Sequence, residues 1–201
     1  MSRDRTTTSY AVLGLLAIRP WTTYELAKQV QRSLRWFWPR AERKLYDEPK
    51  RLVEQGLATA TQEMTGNRPR TVYAITRKGR SALRSWLSEA PEPPTVEFEG
   101  MVKVFFADSG SKEQLLATID EIEAEASRRL SALAEMAGGP VAFPKRSHLN
   151  AIALRLQHDQ EEAIARWATW AREQVDQWAD ADDPGDWNSA SVLSELARRS
   201  A

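Results

Sequence analysis

The chain has 201 residues, 42% of them hydrophobic and 28% charged, a length and balance that suit one or two globular domains with a real buried core. It has no cysteine, which excludes a disulfide frame and thiolate chemistry and points to a reducing, cytoplasmic setting; no apolar run reaches the ~18 residues of a membrane span. The formal net charge of zero hides a segregation, with 17 Lys and Arg against 8 Asp and Glu in residues 1–90, and 11 against 20 in residues 91–201. A basic half joined to an acidic half suggests a polyanion-binding module followed by a second domain; chance segregation of surface charge is the alternative.

Tyr10–Ile18 is apolar nearly all round and predicts a buried helix, closed by Arg19-Pro20. Thr22 and Glu25 have capping-box spacing and open a second helix, whose Leu26, Val30 and Leu34 share one face. The cluster Trp36-Phe37-Trp38 and Pro39 end it. A third helical pattern runs from about Arg40 to Gln55, with Ala41, Leu45, Leu52 and Val53 inward and Gly56 placed for the left-handed residue after the C-cap. Arg43, Lys44, Asp47, Lys50 and Arg51 fall on its other side.

Pro49 leaves two options for this third segment. Either the helix kinks there, or it starts near Asp47 with Pro49 in its first turn, which would take Arg43 and Lys44 off the helix. Lys50 and Arg51 stay on it in both cases.

Alternating residues in Leu57–Met64 and Thr71–Thr76, with Gly66-Asn67 between them, predict a β-hairpin. Arg68, Pro69 and Arg70 would lie on its turn. Thr76 would cap a further helix carrying Leu83, Trp86 and Leu87, with Arg77 and Lys78 at its start balancing the surface. Three helices, a hairpin and a helix form the winged version of the helix-turn-helix motif, in which the third helix enters the major groove.

Ala90–Pro94 is a Pro-rich linker, so the expected domains are residues 1–90 and 91–201. The second domain is expected to be helical: a short apolar helix at about Glu97–Ala107, then a long one capped by Ser111 and Gln114. The long helix has the stripe Leu115, Ile119, Ile122, Ala126, Leu130, Leu133 and Ala137, and Gly138-Gly139-Pro140 ends it. A last helix from Ser147 to about Ala179 carries Leu149, Ile152, Leu156, Ala163, Trp167, Trp170 and Trp178; at ~1.5 Å per residue it would be about 50 Å long. Long striped helices with nothing else to cover them suggest association with a second copy. The acidic tail Asp180–Asp186 is expected to be loose, and Ser189–Arg199 helical.

The runs Tyr10-Ala-Val-Leu-Gly-Leu-Leu-Ala, Thr23-Tyr24-Glu25-Leu26, Leu45-Tyr46 with Leu52 and Gly56-Leu57, and Tyr73-Ala-Ile-Thr76-Arg-Lys-Gly79 resemble the PadR family of bacterial transcriptional regulators over about residues 8–90. The remainder is similar, more loosely, to that family's virulence-activator-like C-terminal helical domain. The resemblance implies a homodimeric repressor, less often an activator, whose C-terminal helices pack with the partner's. It also implies, more weakly, an effector, since some relatives bind phenolic acids or flat aromatic drugs.

The expected fold is thus mainly α with a small two-stranded β-wing: a winged helix-turn-helix domain plus a C-terminal α-helical dimerisation and effector domain. The expected partners are a double-stranded, pseudo-palindromic DNA operator, a second copy of the chain and a small aromatic or phenolic effector, with no membrane. Arg68 and Arg70 are candidates for phosphate or minor-groove contact. Arg43, Lys44, Lys50 and Arg51 are candidates for phosphates or guanine edges, against the alternative of a polar helix face paired with Asp47 and Glu54. Tyr46 either touches DNA or sits in the core. Trp167 and Trp170, three apart, could form an aromatic slot with their dimer mates or pack in the dimer core. Trp36 and Trp38 are expected to be structural or to line the domain junction.

No catalytic Cys, Ser/His/Asp pattern, Gly-rich phosphate loop or HExxH is present, and His148 and His158 are too far apart in sequence for a metal pair, so neither an enzyme nor a cofactor is expected. The rival function is a helical interaction or small-molecule-binding dimer whose winged domain no longer binds DNA.

Overall fold

The computed structural model describes residues 5–34, 36–38, 46–66 and 68–199. They form two compact units that divide after Pro94.

The N-terminal unit is built around α1 (Thr7–Ile18), whose Val12, Leu13, Leu15 and Leu16 are buried. Thr6 and Ser9 close a capping box at its start, so its first orphan N–H groups are satisfied. Pro20 is followed by β1 (Trp21–Thr22) and then by α2 (Thr23–Ser33). The Thr22–Glu25 capping box is present: Glu25 Oε2 accepts from Thr22 N at 2.8 Å, and Thr22 Oγ1 accepts from Glu25 N at 3.2 Å. Leu26 and Val30 are fully buried on the inner face of α2.

Helix α3 spans Glu48–Glu54, with Pro49 in its first turn, which selects the helix-start option among the described residues. A proline there gives up an N–H that has no partner in any case. The helix ends on Gly56 at φ +69°, and two bonds close a Schellman motif: Leu57 N to Leu52 O at 2.8 Å and Gly56 N to Val53 O at 2.9 Å.

Strands β2 (Ala58–Thr65) and β3 (Arg68–Ile75) form the hairpin, and α4 (Arg77–Leu87) follows. The sheet is three-stranded in the order β1-β3-β2, where a two-stranded wing was expected. Trp21 pairs with Tyr73 and Thr22 with Val72, and buried Trp21 donates Nε1–H to Leu15 O at 2.7 Å. Two residues are too few to show any periodicity, which is why this strand is invisible in the sequence. Gly79 allows α4 to pass close to the hairpin's root, since a Cβ there would lie 2.1 Å from Leu57 O. Trp86 stacks on Tyr10 (4.7 Å between centroids, 3° between planes) and so ties α4 to α1.

The C-terminal unit has α5 (Glu99–Phe105), α6 (Lys112–Gly138), α7 (Ser147–Val175) and α8 (Ser189–Arg199). The Ser111–Gln114 capping box opens α6 as the spacing predicts. The unit's core joins Leu115, Ile119 and Ile122 of α6 to Ala168, Ala171 and Val175 of α7, with Phe98, Val104 and Trp167 packed against them. No helix among the described residues is long and apolar enough to cross a membrane.

The register of α7 corrects the expected stripe. Its inward face is Gln157, Glu161, Ala168, Ala171 and Val175, with Ile164 partly buried. Leu149, Ile152 and Leu156 lie off that face, 45%, 71% and 57% exposed, and Ala163 is exposed as well. The cause is polar burial: Glu161 faces α6 and its Oε1 takes Arg129 Nε at 2.8 Å, so the buried stripe passes through residues that an apolar pattern skips. The helix also stops at Val175, four residues short of the expected end.

Candidate nucleic-acid interface

Helix α3 packs against β2, which places one exposed helical face beside one exposed hairpin. Leu52 anchors the helix in the core, and Lys50 and Arg51 lie on its exposed side. They do not carry equal free charge. Arg51 Nη1 lies 3.3 Å from Oε2 of Glu48, a carboxylate only 2% exposed, so Arg51 compensates a buried acid while its own side chain remains 45% exposed. Tyr46, before the helix, is 63% exposed, which removes the core option for it. Arg43 and Lys44 lie outside the described residues.

Lys78 Nζ donates to Gln55 O at 2.8 Å and so covers an orphan carbonyl at the C-terminal end of α3, where the helix dipole favours a cation. That is a structural role more specific than balancing the surface. Thr76 caps α4 as expected, accepting from Gly79 N at 3.0 Å.

The hairpin differs from the expected turn. Strand β3 already begins at Arg68, which pairs with Thr65, and Gly66 at φ +59° makes the reversal. Arg70 therefore lies within β3, directly opposite Glu63, with Nη2 2.9 Å from Oε2. Pro69 is also in the strand, opposite Met64. It is tolerated there because β1 reaches only Tyr73 and Val72, leaving β3 an edge strand near the tip, where a missing N–H costs no ladder bond. Arg68 is described by its backbone alone.

The Arg70–Glu63 pair is about half exposed on both sides, and such pairs contribute roughly 0–1 kcal/mol. A phosphate could therefore displace the carboxylate at little cost. The pair holds the guanidinium in place and does not bury it.

Elsewhere in this unit Trp38 donates Nε1–H to Thr8 Oγ1 at 3.0 Å, a structural bond to the start of α1. Arg19 lies over the Trp21 ring, 3.5 Å from its centroid, and 3.1 Å from Glu25. The Thr22 backbone N–H bond, aided by the Thr22 hydroxyl and Arg19, holds the Glu25 carboxyl below its ordinary value of 4.5. Tyr24, one residue into α2, is 73% exposed; nothing in its spacing singled it out.

In the C-terminal unit the two candidate tryptophans part company. Trp167 packs against the core, and Trp170 is 40% exposed. Both line a cavity of about 310 Å³ together with Trp178 and Trp187. Among the described residues, His158, Asp159 and Glu162 form one exposed cluster of metal-ligating types; Asp159 is already held by Arg155 Nε at 2.7 and 2.9 Å.

This arrangement matches known proteins in two consecutive segments. The model of the transcriptional regulator PadR-like family matches residues 12–85, and that of the virulence activator alpha C-term family matches residues 99–176. The negative transcriptional regulator PadR of Bacillus subtilis is 30% identical over 107 residues, which are 52% of this chain and 59% of that protein. The chain thus spans little more than half the length of that curated relative. The crystal structure of Bacillus subtilis PadR in complex with operator DNA superposes with a TM-score of 0.73 at 24% identity, covering 85% of this chain and 99% of that one. The same protein in complex with p-coumaric acid gives 0.68, with the same identity and coverage. The two family segments coincide with the winged-helix unit and the helical unit, and the chain belongs to the PadR-like family of transcriptional regulators.

Proposed function

We propose that the protein is a homodimeric, sequence-specific DNA-binding repressor that works in the cytoplasm on a pseudo-palindromic operator and is released by a small aromatic effector. One observation carries the DNA-binding part: exposed Lys50 and Arg51 on α3 stand beside a hairpin whose tip region carries Arg68 and Arg70, the helix-plus-wing layout that engages a groove and its flanking phosphates. Arg70 and Arg68 would hold phosphates, α3 with Lys50 and Arg51 would meet the major groove, and Arg43, Lys44 and Tyr46 would extend that contact. The operator complex of the Bacillus subtilis relative supports this reading.

Dimerisation is assigned to the segment from residue 91 onward. Leu149, Ile152 and Leu156 form an apolar ridge on α7 that the described residues leave about half or more exposed, the kind of surface a two-fold interface between copies would cover. The effector is assigned to the tryptophan cluster that includes Trp167 and Trp170, with the p-coumaric acid complex of the relative as support. Effector binding would lower operator affinity by favouring a separation of the two heads that fits the operator poorly.

One observation favours the rival, a dimer whose winged domain does not bind DNA: Arg51 and Arg70 each have a carboxylate partner. Footprinting of the protein on its own upstream DNA separates the two. Two protected half-sites about one helical turn or more apart support the repressor. A featureless pattern at low salt supports the rival.

A further inference from the structure

We propose that buried Glu48 is a positioning residue for DNA recognition: it holds the Arg51 guanidinium on α3 in the orientation that reads a base edge in the major groove. This deepens the DNA-binding reading above and rests on it.

Glu48 opens α3, and Arg51 stands one turn further along the same face. Arg51 Nη1 donates to Glu48 Oε2 at 3.3 Å. The two side chains differ sharply in exposure, 2% for the acid and 45% for the arginine. Helix α3 buries Glu48, Pro49 and Leu52 and packs on α1 and β2. A carboxylate taken out of water is costly unless it is paired, and an apolar side chain of similar size would pack there without that cost. The acid instead pairs with an arginine displayed on the exposed side of the helix assigned to the groove. Its burial fixes one end of the pair and leaves the other at the surface.

A fixed anchor matters for one kind of contact more than for another. An exposed arginine samples many rotamers and gives them up on binding; one that a carboxylate already holds gives up fewer. The guanidinium is a planar fork of N–H donors that matches the O6 and N7 acceptors of guanine two at a time, so its orientation decides whether the contact forms. A phosphate is met by charge with little demand on angle, and Lys50, exposed on the adjacent position, suits that duty as a point charge. Partial neutralisation by Glu48 also lowers what Arg51 offers a phosphate. Arg51 would therefore select sequence, and Lys50 would supply affinity to any sequence.

The test is fluorescence anisotropy of full-length wild type, Glu48→Gln and Arg51→Lys on the protein's own upstream fragment and on scrambled DNA. Glu48→Gln keeps the shape of the side chain and removes its charge. By charge alone, loss of an acid near DNA tightens binding to every sequence. A positioning role predicts the opposite on the native fragment: the native-to-scrambled affinity ratio should shrink by about three- to ten-fold through weaker native binding. The melting temperature should hold or rise, because a buried charge has gone, so a damaged fold does not account for the loss. Arg51→Lys changes a half-exposed side chain, keeps the charge and removes the fork. Its ratio should shrink as well, and it carries the test if Glu48→Gln does not fold. An unchanged ratio in a folded Glu48→Gln, or in Arg51→Lys, overturns the proposal and leaves the operator reading standing, since the wild type still prefers its own fragment. A wild type that prefers neither fragment overturns the operator reading, and this one with it.

Discussion

Glu63 and Arg70 face each other across the hairpin as direct cross-strand partners, Oε2 2.9 Å from Nη2. The acid holds the guanidinium extended beside the strand and competes with any phosphate for it. Glu63→Gln should therefore tighten DNA binding by a few-fold at low salt, because an exposed pair of this kind contributes at most ~1 kcal/mol. Arg70→Ala should weaken binding to all sequences alike and lower the salt slope by about one. Fluorescence anisotropy of specific and scrambled duplexes reads both; a sequence-selective loss in Arg70→Ala would make it a base reader instead.

Lys50 and Arg51 are neighbours in sequence with different duties. Arg51 compensates buried Glu48, and Lys50 is exposed on the same helix. Arg51→Ala should lower both DNA affinity and the melting temperature, with a stability loss of about 1–3 kcal/mol from the less compensated carboxylate. Lys50→Ala should lower DNA affinity and leave melting unchanged. Equal melting shifts for the two variants would contradict the difference in their surroundings.

The ridge Leu149, Ile152 and Leu156 should hold the dimer. Ile152→Asp with Leu156→Asp introduces charges at two side chains that are more than half exposed and lie off the inward face of α7, so each protomer should keep its helical circular dichroism. Sedimentation velocity should shift from dimer to monomer, and operator affinity should fall with it. A dimer that persists would place the interface elsewhere.

Two carboxylates give the units opposite responses to acid. Burial, assisted by Glu125 and opposed by Arg129, holds Glu161 above its ordinary value of 4.5. The folded state binds that proton more readily than the unfolded state, so the ionised group's penalty is present above the folded value and is relieved as pH falls towards 4.5. Glu25, held below 4.5 chiefly by the Thr22 backbone, contributes stability above that value and loses it as pH falls through the folded one. In thermal melts, Glu161→Gln should raise stability most at about pH 7.5 and least near pH 4.5. Glu25→Gln should lower stability at about pH 7.5, with the difference fading in strong acid. A stability gain for Glu161→Gln that grows in acid would contradict the burial of this carboxylate.

The N-terminal unit was legible where local chemistry decides the outcome. Thr22 with Glu25, Ser111 with Gln114, Thr76 and Gly56 each mark a helix end by hydrogen-bonding capacity or by a positive φ, and each acts where its spacing places it. Non-local pairing hid the rest. Trp21 becomes a strand only because Tyr73 lies alongside it, 52 positions later in the chain. Arg70 reads as a turn residue from Pro69 beside it, but edge position lets the strand take both residues. On α7 the apolar letters lead to Leu149, Ile152 and Leu156, while Glu161 is buried because Arg129 on another helix compensates it. The cavity was half visible: Trp167 and Trp170 stand at helical spacing, whereas Trp178, Trp187 and Asp108 join them only through the fold of the segments that flank α6 and α7.

Salt-dependent anisotropy on the protein's own upstream fragment reads whether α3 and the hairpin grip DNA. Tight binding with a clear preference over scrambled DNA is expected. Log affinity should fall against log salt with a slope of roughly 0.9 per neutralised phosphate, reduced by about one unit in Arg70→Ala. Binding to neither fragment at low salt would contradict it, and would leave a helical, ligand-binding dimer as the function of the chain.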